Sequence, residues 1–185
     1  MKHLSVLVLS LLILTACVEQ ERTEVTVTES MPGVEMAVAV VYSTVGNSAE
    51  GTVTFTQTEE GVRVEANISG LDTNGIHGFH IHEFGDCRAD DATSAGGHYN
   101  PMDMPHAGPM DEQRHVGDMG NLTANDNGVA EYVYLDEKIE LSGVYSVLGL
   151  AVVVHAQEDD LESQPVGDAG GRIGCGIIGK ANPDF

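Results

Sequence analysis

Three histidines fall within six residues of the stretch HGFHIHEFGDC (77–87), and four more follow at His98, His106, His115 and His155. Imidazole is the commonest metal ligand and the one side chain whose ordinary pKa lies near neutrality, so this density points to metal or proton chemistry. The later group reads GGHYNP, MPHAGP and RHVGD, which adds Asp118 to His98, His106 and His115. Three imidazoles and one carboxylate form a closed tetrahedral set of the kind zinc takes at structural sites. Seven histidines and an aspartate suffice for two metals: an all-imidazole set with an open position suits copper, while the zinc set would anchor its loop. Spacing alone leaves open how the ligands divide. Apart from His3, every histidine of the chain belongs to these groups, whereas indifferent surface histidines would be scattered.

These side chains need elements to hold them. Short β segments with turn residues between them run VEMAVAVVYS, GTVTFTQT, GVRVEANISG, HGFHIHEF, GVAEYVYLD, YSVLGLAVVVH and RIGCGIIG. Apolar residues alternate in GTVTF and VRVEANI, the period of a strand with one buried face. No stretch shows a sustained helical period. Seven or eight strands, 22 glycines and no tryptophan predict an all-β sandwich or barrel. On a strand His80 and His82 share one face and Phe79 and Ile81 the other, so the imidazoles stand outside the core where a loop can cover them. The widest gap in strand signal, residues 84–114, is the expected loop. Gly and Pro flank His98 and His106 there and let the chain bend sharply enough to bring distant ligands together.

The N-terminus, MKHLSVLVLSLLILTAC, joins a basic start to an apolar run, Leu4 to Leu14, too short to cross a bilayer. Residues 1–16 therefore read as an export signal, and LTAC resembles a bacterial lipobox whose Cys17 is lipidated and becomes the mature N-terminus. Residues 17–33 are polar and unpatterned, a flexible tether, and the domain is expected over 34–185. With Cys17 carrying lipid, Cys87 and Cys175 remain as an even pair in an oxidising compartment. A bridge between them would close nearly half the chain and, on a chain-entropy model, contribute roughly 4–5 kcal/mol. The charge is lopsided, 8 Lys plus Arg against 29 Asp plus Glu, for a net −21. That argues against nucleic acid as a partner and against a polybasic face on anionic lipid, leaving the lipid anchor as the membrane contact.

HGFHIHEFGD, SAGGHYNP, RHVGDMGNL, VVVHAQEDDL and GDAGGRIGCGIIG occur in this order and together resemble the Cu,Zn superoxide dismutase family, from about Val34 to Ala181. The resemblance implies an eight-stranded Greek-key β-barrel with long metal-binding loops. It implies one copper per subunit on His80, His82, His98 and His155, and one zinc on His98, His106, His115 and Asp118, with His98 an imidazolate shared by both. Asp159 would join His80 to His106 and hold their tautomers. By the same resemblance Arg172 would hold the substrate anion beside copper, His77 would bond backbone and ligate nothing, and Cys87 and Cys175 would form the family disulfide. Cys87 directly follows GD, a placement that resembles bacterial members. The implied reaction turns two superoxide ions into dioxygen and hydrogen peroxide, with His98 serving as a redox-coupled acid and base and zinc fixing its geometry.

Some positions depart from the family pattern. Residues 159–172 contain no lysine, Val166 stands where many relatives have threonine, and Asp168 where asparagine is usual. Attraction of superoxide by a lysine rim is therefore not expected, and the field of copper and Arg172 must act within about a Debye length, roughly 8 Å. Met102, Met104 and Met110 surround His106. A surface loop tolerates methionine, yet thioethers are soft ligands that could dock copper(I) transiently. A competing function is an exported copper- and zinc-binding module that buffers or delivers metal without turnover; the complete ligand set and Arg172 favour the enzyme. The enzyme would protect the cell envelope from superoxide outside the cytoplasm. Val18 is not the aspartate that retains many lipoproteins at the inner membrane, so an outer-membrane anchor facing the periplasm is expected. Leu150 stands where animal relatives carry arginine, which leaves pairing open; a homodimer is one expectation.

Overall fold

The computed structural model describes residues 33–185; the export signal, Cys17 and all but the last residue of the expected tether lie outside the described residues. Eight strands follow in chain order: β1 (Met36–Ser43), β2 (Glu50–Gln57), β3 (Val62–Ser69), β4 (Ile76–His82), β5 (Asp118–Thr123), β6 (Ala130–Asp136), β7 (Ala151–His155) and β8 (Arg172–Lys180). Helical structure among the described residues is confined to a 3-10 turn, Thr93–Ala95. The spatial order is β5-β4-β7-β8-β1-β2-β3-β6, every pair antiparallel. β1, β2 and β3 form a meander; the chain then crosses to β4 and β5 and returns as β6 beside β3. This is a Greek-key path, and β5 and β6, the two ends of the sheet, lie against each other to nearly close a barrel.

Alternation builds the wall. Val62, Val64, Ala66 and Ile68 of β3 point inward, as do Val53 and Phe55 of β2, while Arg63 and Asn67 face water. Each large apolar side chain so buried contributes roughly 1.5–3 kcal/mol, and a one-residue slip would expose the whole row. β4 is different, because everything from His77 onward is buried. Phe79 and Ile81 fill the core, with Phe79 edge-on to Tyr132 at 5.4 Å between centroids. His80 and His82 point away from the core and are covered by the segment 83–117. That segment is pinned to β4 by backbone bonds, Tyr99 N–H to Ile81 O at 2.8 Å and Ile81 N–H to Gly117 O at 2.9 Å. A disulfide between Cys87 and Cys175 ties its early part to β8.

Two strand assignments need correction. DMGNLT is not among the expected strand segments, since Asp, Gly and Asn interrupt the alternation, yet it forms β5 by pairing with β4 from Ile76↔Thr123 to His80↔Asp118. YSVLGLAVVVH is a strand only over its last five residues; Gly149 adopts φ +82°, and the chain before β7 is turns.

Candidate metal centre

β4 carries His80 and His82, β7 ends on His155, the long loop carries His98, His106 and His115, and β5 begins with Asp118. Strand register shifts between Gly78 and His80 opposite Asp118, and between Val154 and His155 opposite Arg172. Such bulges bend a strand locally and re-aim the side chain beside them. His98 meets His82 in an isolated bridge. Two groups result, His80, His82, His98 and His155 in one, His98, His106, His115 and Asp118 in the other. Within each group the ligand-capable atoms lie within 4.8 Å of one another, and His98 belongs to both. No member is more than 5 % exposed.

The hydrogen bonds decide which nitrogens are left over. His82 Nδ1–H donates to Gly96 O (2.9 Å) and His155 Nδ1–H to Gly170 O (3.3 Å). Both Nε2 atoms are then lone pairs, and they face each other at 3.3 Å. That arrangement is repulsive unless a cation lies between them. His80 Nε2–H donates to Asp159 Oδ2 (2.6 Å), which leaves His80 Nδ1 buried without a partner, as is His98 Nε2. In the other group His106 Nε2–H donates to Asp159 Oδ1 (2.9 Å). Nδ1 of His106 and of His115 lie 3.0 and 3.2 Å from Asp118 Oδ1, within ion-pair reach but outside hydrogen-bond geometry. Buried polar atoms are nearly always paired, so orphan nitrogens converging in two groups mark cation sites. The all-imidazole group fits copper and the His3Asp group fits zinc.

Electrostatics separates the groups. Burial holds His82 and His155 well below the usual imidazole value, helped by neighbouring histidines, and lowers His80 despite its bond to Asp159. Burial likewise pushes His98 down to about 4 against the pull of Asp118. These imidazoles are neutral, as metal ligands must be. His106 goes the other way: burial would lower it, but Asp118 and Asp159 outweigh burial and raise it to about 9. Burial would raise both carboxylates, yet Asp118, with the imidazoles of His106, His115 and His98 around it, and Asp159, bonded by His106 and His80, stay far below the usual range.

The other expected residues lie around the groups. Asp159 spans His80 and His106, and His77 Nδ1–H donates to His155 O (2.9 Å) without joining either group. Arg172, partly exposed at the start of β8, donates to Ala92 O and to Gly96 O, the carbonyl that also takes the His82 proton. Sequence reasoning missed the residues that hold these in turn. Asn121 exchanges two bonds with the Asp159 backbone (2.8 and 2.9 Å), and Gln164 clamps the His106 backbone, its amide oxygen accepting from His106 N–H and its NH2 donating to His106 O (2.8 Å each). Buried Arg114 pairs with Asp136 (2.7 Å) and bonds His115 O. Gly167, at φ +70°, lies so close that a Cβ would come within 1.8 Å of Asp159 Oδ1. Except for Arg114, which adjoins a histidine, no local pattern marks these positions.

An eight-stranded Greek-key barrel with one imidazole shared between two buried ligand groups defines a dinuclear metalloprotein. A family model described as copper/zinc superoxide dismutase (SODC) matches residues 49–178. "Superoxide dismutase [Cu-Zn]" of Paramecium bursaria Chlorella virus 1 is 46 % identical over 142 residues, 74 % of this chain and 75 % of the relative. "Superoxide dismutase [Cu-Zn] 3" of Arabidopsis thaliana is 49 % identical over 140 residues, 72 % and 84 % of the two chains. "Superoxide dismutase [Cu-Zn] 2" of Mesembryanthemum crystallinum is 47 % identical over 154 residues, 80 % and 96 %. The chain belongs to the copper/zinc superoxide dismutase family. It is an enzyme of superoxide dismutation, with copper and zinc as its cofactors.

Proposed function

We propose that this dismutase binds copper through His80, His82, His98 and His155 and zinc through His98, His106, His115 and Asp118, and that it works in the cell envelope on a lipid anchor at Cys17. The observation that carries the ligand assignment is His98, with Nδ1 2.9 Å from Asp118 Oδ1 and Nε2 unpartnered on the side of His80, His82 and His155. Bound copper supplies a one-electron couple and bound zinc a fixed positive charge that cannot change oxidation state. Arg172 offers the substrate anion a cation whose direction is set by the Ala92 and Gly96 carbonyls. His98 Nε2, free of any protein partner, is the atom at which a proton is held for the departing peroxide. Asp159 keeps the outer nitrogens of His80 and His106 protonated and so keeps their inner nitrogens available. A store that only buffered metal would have no use for a fixed guanidinium beside its ligands.

Anomalous diffraction at the copper and zinc edges tests the ligand assignment. Copper among the four histidines and zinc on the Asp118 side is expected; the reverse would overturn it.

Export rests on the apolar run Leu4 to Leu14 and lipidation on LTAC before Val18. Full-length protein made in a Gram-negative cell should take up labelled palmitate and sediment with outer membranes, and Cys17→Ala should move it to the soluble fraction with activity retained. A palmitate-free wild type would end that part of the proposal. A homodimer belongs to the same reading: Phe84 (55 %), Ile177 (49 %) and Val40 (44 %) are exposed, and Val40 and Ile177 lie on adjacent strands. Sedimentation equilibrium of the mature domain reads this directly, and a monomer at micromolar concentration would exclude it.

A further inference from the structure

We propose that Met102 and Met104 form a separate binding site for a soft monovalent metal ion, copper(I), apart from the imidazole cluster and beyond what dismutation requires. Both methionines line a single cavity of about 240 Å³. The turn that presents them is built in advance. Asp103 between them adopts φ +52°, and the Asn100 side chain closes the reversal, accepting from Met104 N–H (3.0 Å) and donating to Met104 O (2.8 Å). Two ligands held on one rigid turn need little ordering when an ion arrives.

The surroundings favour a small cation. Met102 and Met104 are 47 % and 39 % exposed, whereas Met119 packs fully into the core, so these two side chains are within reach of an ion from solvent. Glu137 and Glu140 stand in the same wall. The two basic side chains of that wall are engaged elsewhere: Lys138 donates to the Glu112 carbonyl, and Arg114 pairs with Asp136 at 2.7 Å. Thioether sulfur is neutral at every physiological pH and is a soft donor that prefers copper(I), whereas magnesium and calcium take oxygen. Met110 is not part of the site. It is 85 % exposed, lines a different cavity and accepts a bond from the Tyr134 hydroxyl at 3.7 Å. The three methionines that the sequence groups around His106 are thus a pair and a bystander.

The test uses the fully copper- and zinc-loaded protein, so the imidazole sites are already filled. Silver(I), a redox-inert analogue of copper(I), is titrated while the methionine methyl resonances are followed by ¹H–¹³C NMR, and copper(I) affinity is then measured by competition with bicinchoninate. The Met102 and Met104 methyls are expected to shift together and saturate at one ion per chain, with Met110 and Met119 unmoved. M102L and M104L, which keep side-chain volume, should each weaken copper(I) binding roughly tenfold or more, M110L should not, and all three should keep dismutase activity. Absence of any shift, an unsaturable shift shared by Met110, silver uptake accompanied by copper release, or unchanged affinity in the double variant would each overturn the proposal.

Discussion

His82 and His155 stand on strands and give their outer protons to peptide carbonyls, whereas His106 and His115 stand on a loop and face carboxylates. The strand half is held by apolar packing, with Phe79, Ile81, Val152 and Val154 buried on the opposite face of the same strands. The loop half is held by charge and polar clamps: Asp118, Asp159, Asn121 and Gln164. One side is therefore a rigid, uncharged cup, and the other a set of buried ions whose desolvation has to be offset by a cation. The strand half should outlast metal removal, and the loop half should need metal to stay ordered.

The largest effect expected is from cutting the strand half. His155→Ala should reduce dismutation to the level of metal-free protein, with copper lost and zinc kept in elemental analysis after dialysis; loss of zinc as well would mean that the halves are not separable. Next is the covalent tie between loop and barrel. The Cys87–Cys175 bridge closes a separation of 88 residues, and Cys87→Ser with Cys175→Ser should cost the metal-free protein roughly 3–4.5 kcal/mol in denaturant unfolding. A change under about 1 kcal/mol would show that the barrel does not depend on the loop at all.

Asp159→Asn aims at the joint between the halves. The carboxylate accepts from both His80 and His106, and an amide oxygen can accept from only one while its NH2 opposes the other. Zinc affinity should fall roughly 10–100-fold, and copper affinity less, in competition with chelators. Equal losses on both metals would deny the loop half its special dependence on charge.

In metal-free protein the halves should respond to pH with opposite signs. His80, His82, His98 and His155 all have lowered pKa values, so the unfolded chain takes up protons first on acidification. Their contribution is complete above the ordinary value of 6.5 and is lost as pH falls from there towards about 4, where folded His98 titrates. His106, raised to about 9, contributes fully below 6.5 and loses that contribution as pH climbs through 9. Both carboxylates stay ionised over that range. Guanidinium unfolding of metal-free protein should thus weaken on both sides of neutrality, more steeply towards acid, and metal-loaded protein should lose stability at least as steeply between pH 6.5 and 5, because its ligating imidazoles take up no protons while those of the unfolded chain do. An acid-insensitive metal-free protein would contradict the buried, neutral strand half. The smallest effect expected is that of salt. With a net charge of −21 and no lysine in 159–172, the superoxide reaction should change by no more than about two- to three-fold between low and physiological ionic strength; a steep fall with salt would reveal an attractive field.

Legibility followed physical range. Periodicity reports which face of a local segment is buried, and β2, β3 and the core side of β4 could be read from it directly. β5 could not, because Asp118, Gly120 and Asn121 break the alternation and only pairing with β4 makes the segment a strand. Residue types, their order and the cysteine pair sufficed by themselves to limit this protein to an all-β metal-binding chain and to name its ligand candidates, since the side chains that bind metal are chemically few. Only closure of the barrel decided which nitrogen of each imidazole is free, that Asn121 and Gln164 brace ligands and their partners 38 and 58 residues away, and that Met110 parts from Met102 and Met104. Such contacts join segments distant along the chain, and no local pattern encodes a position that exists only once the sheet has curled onto itself.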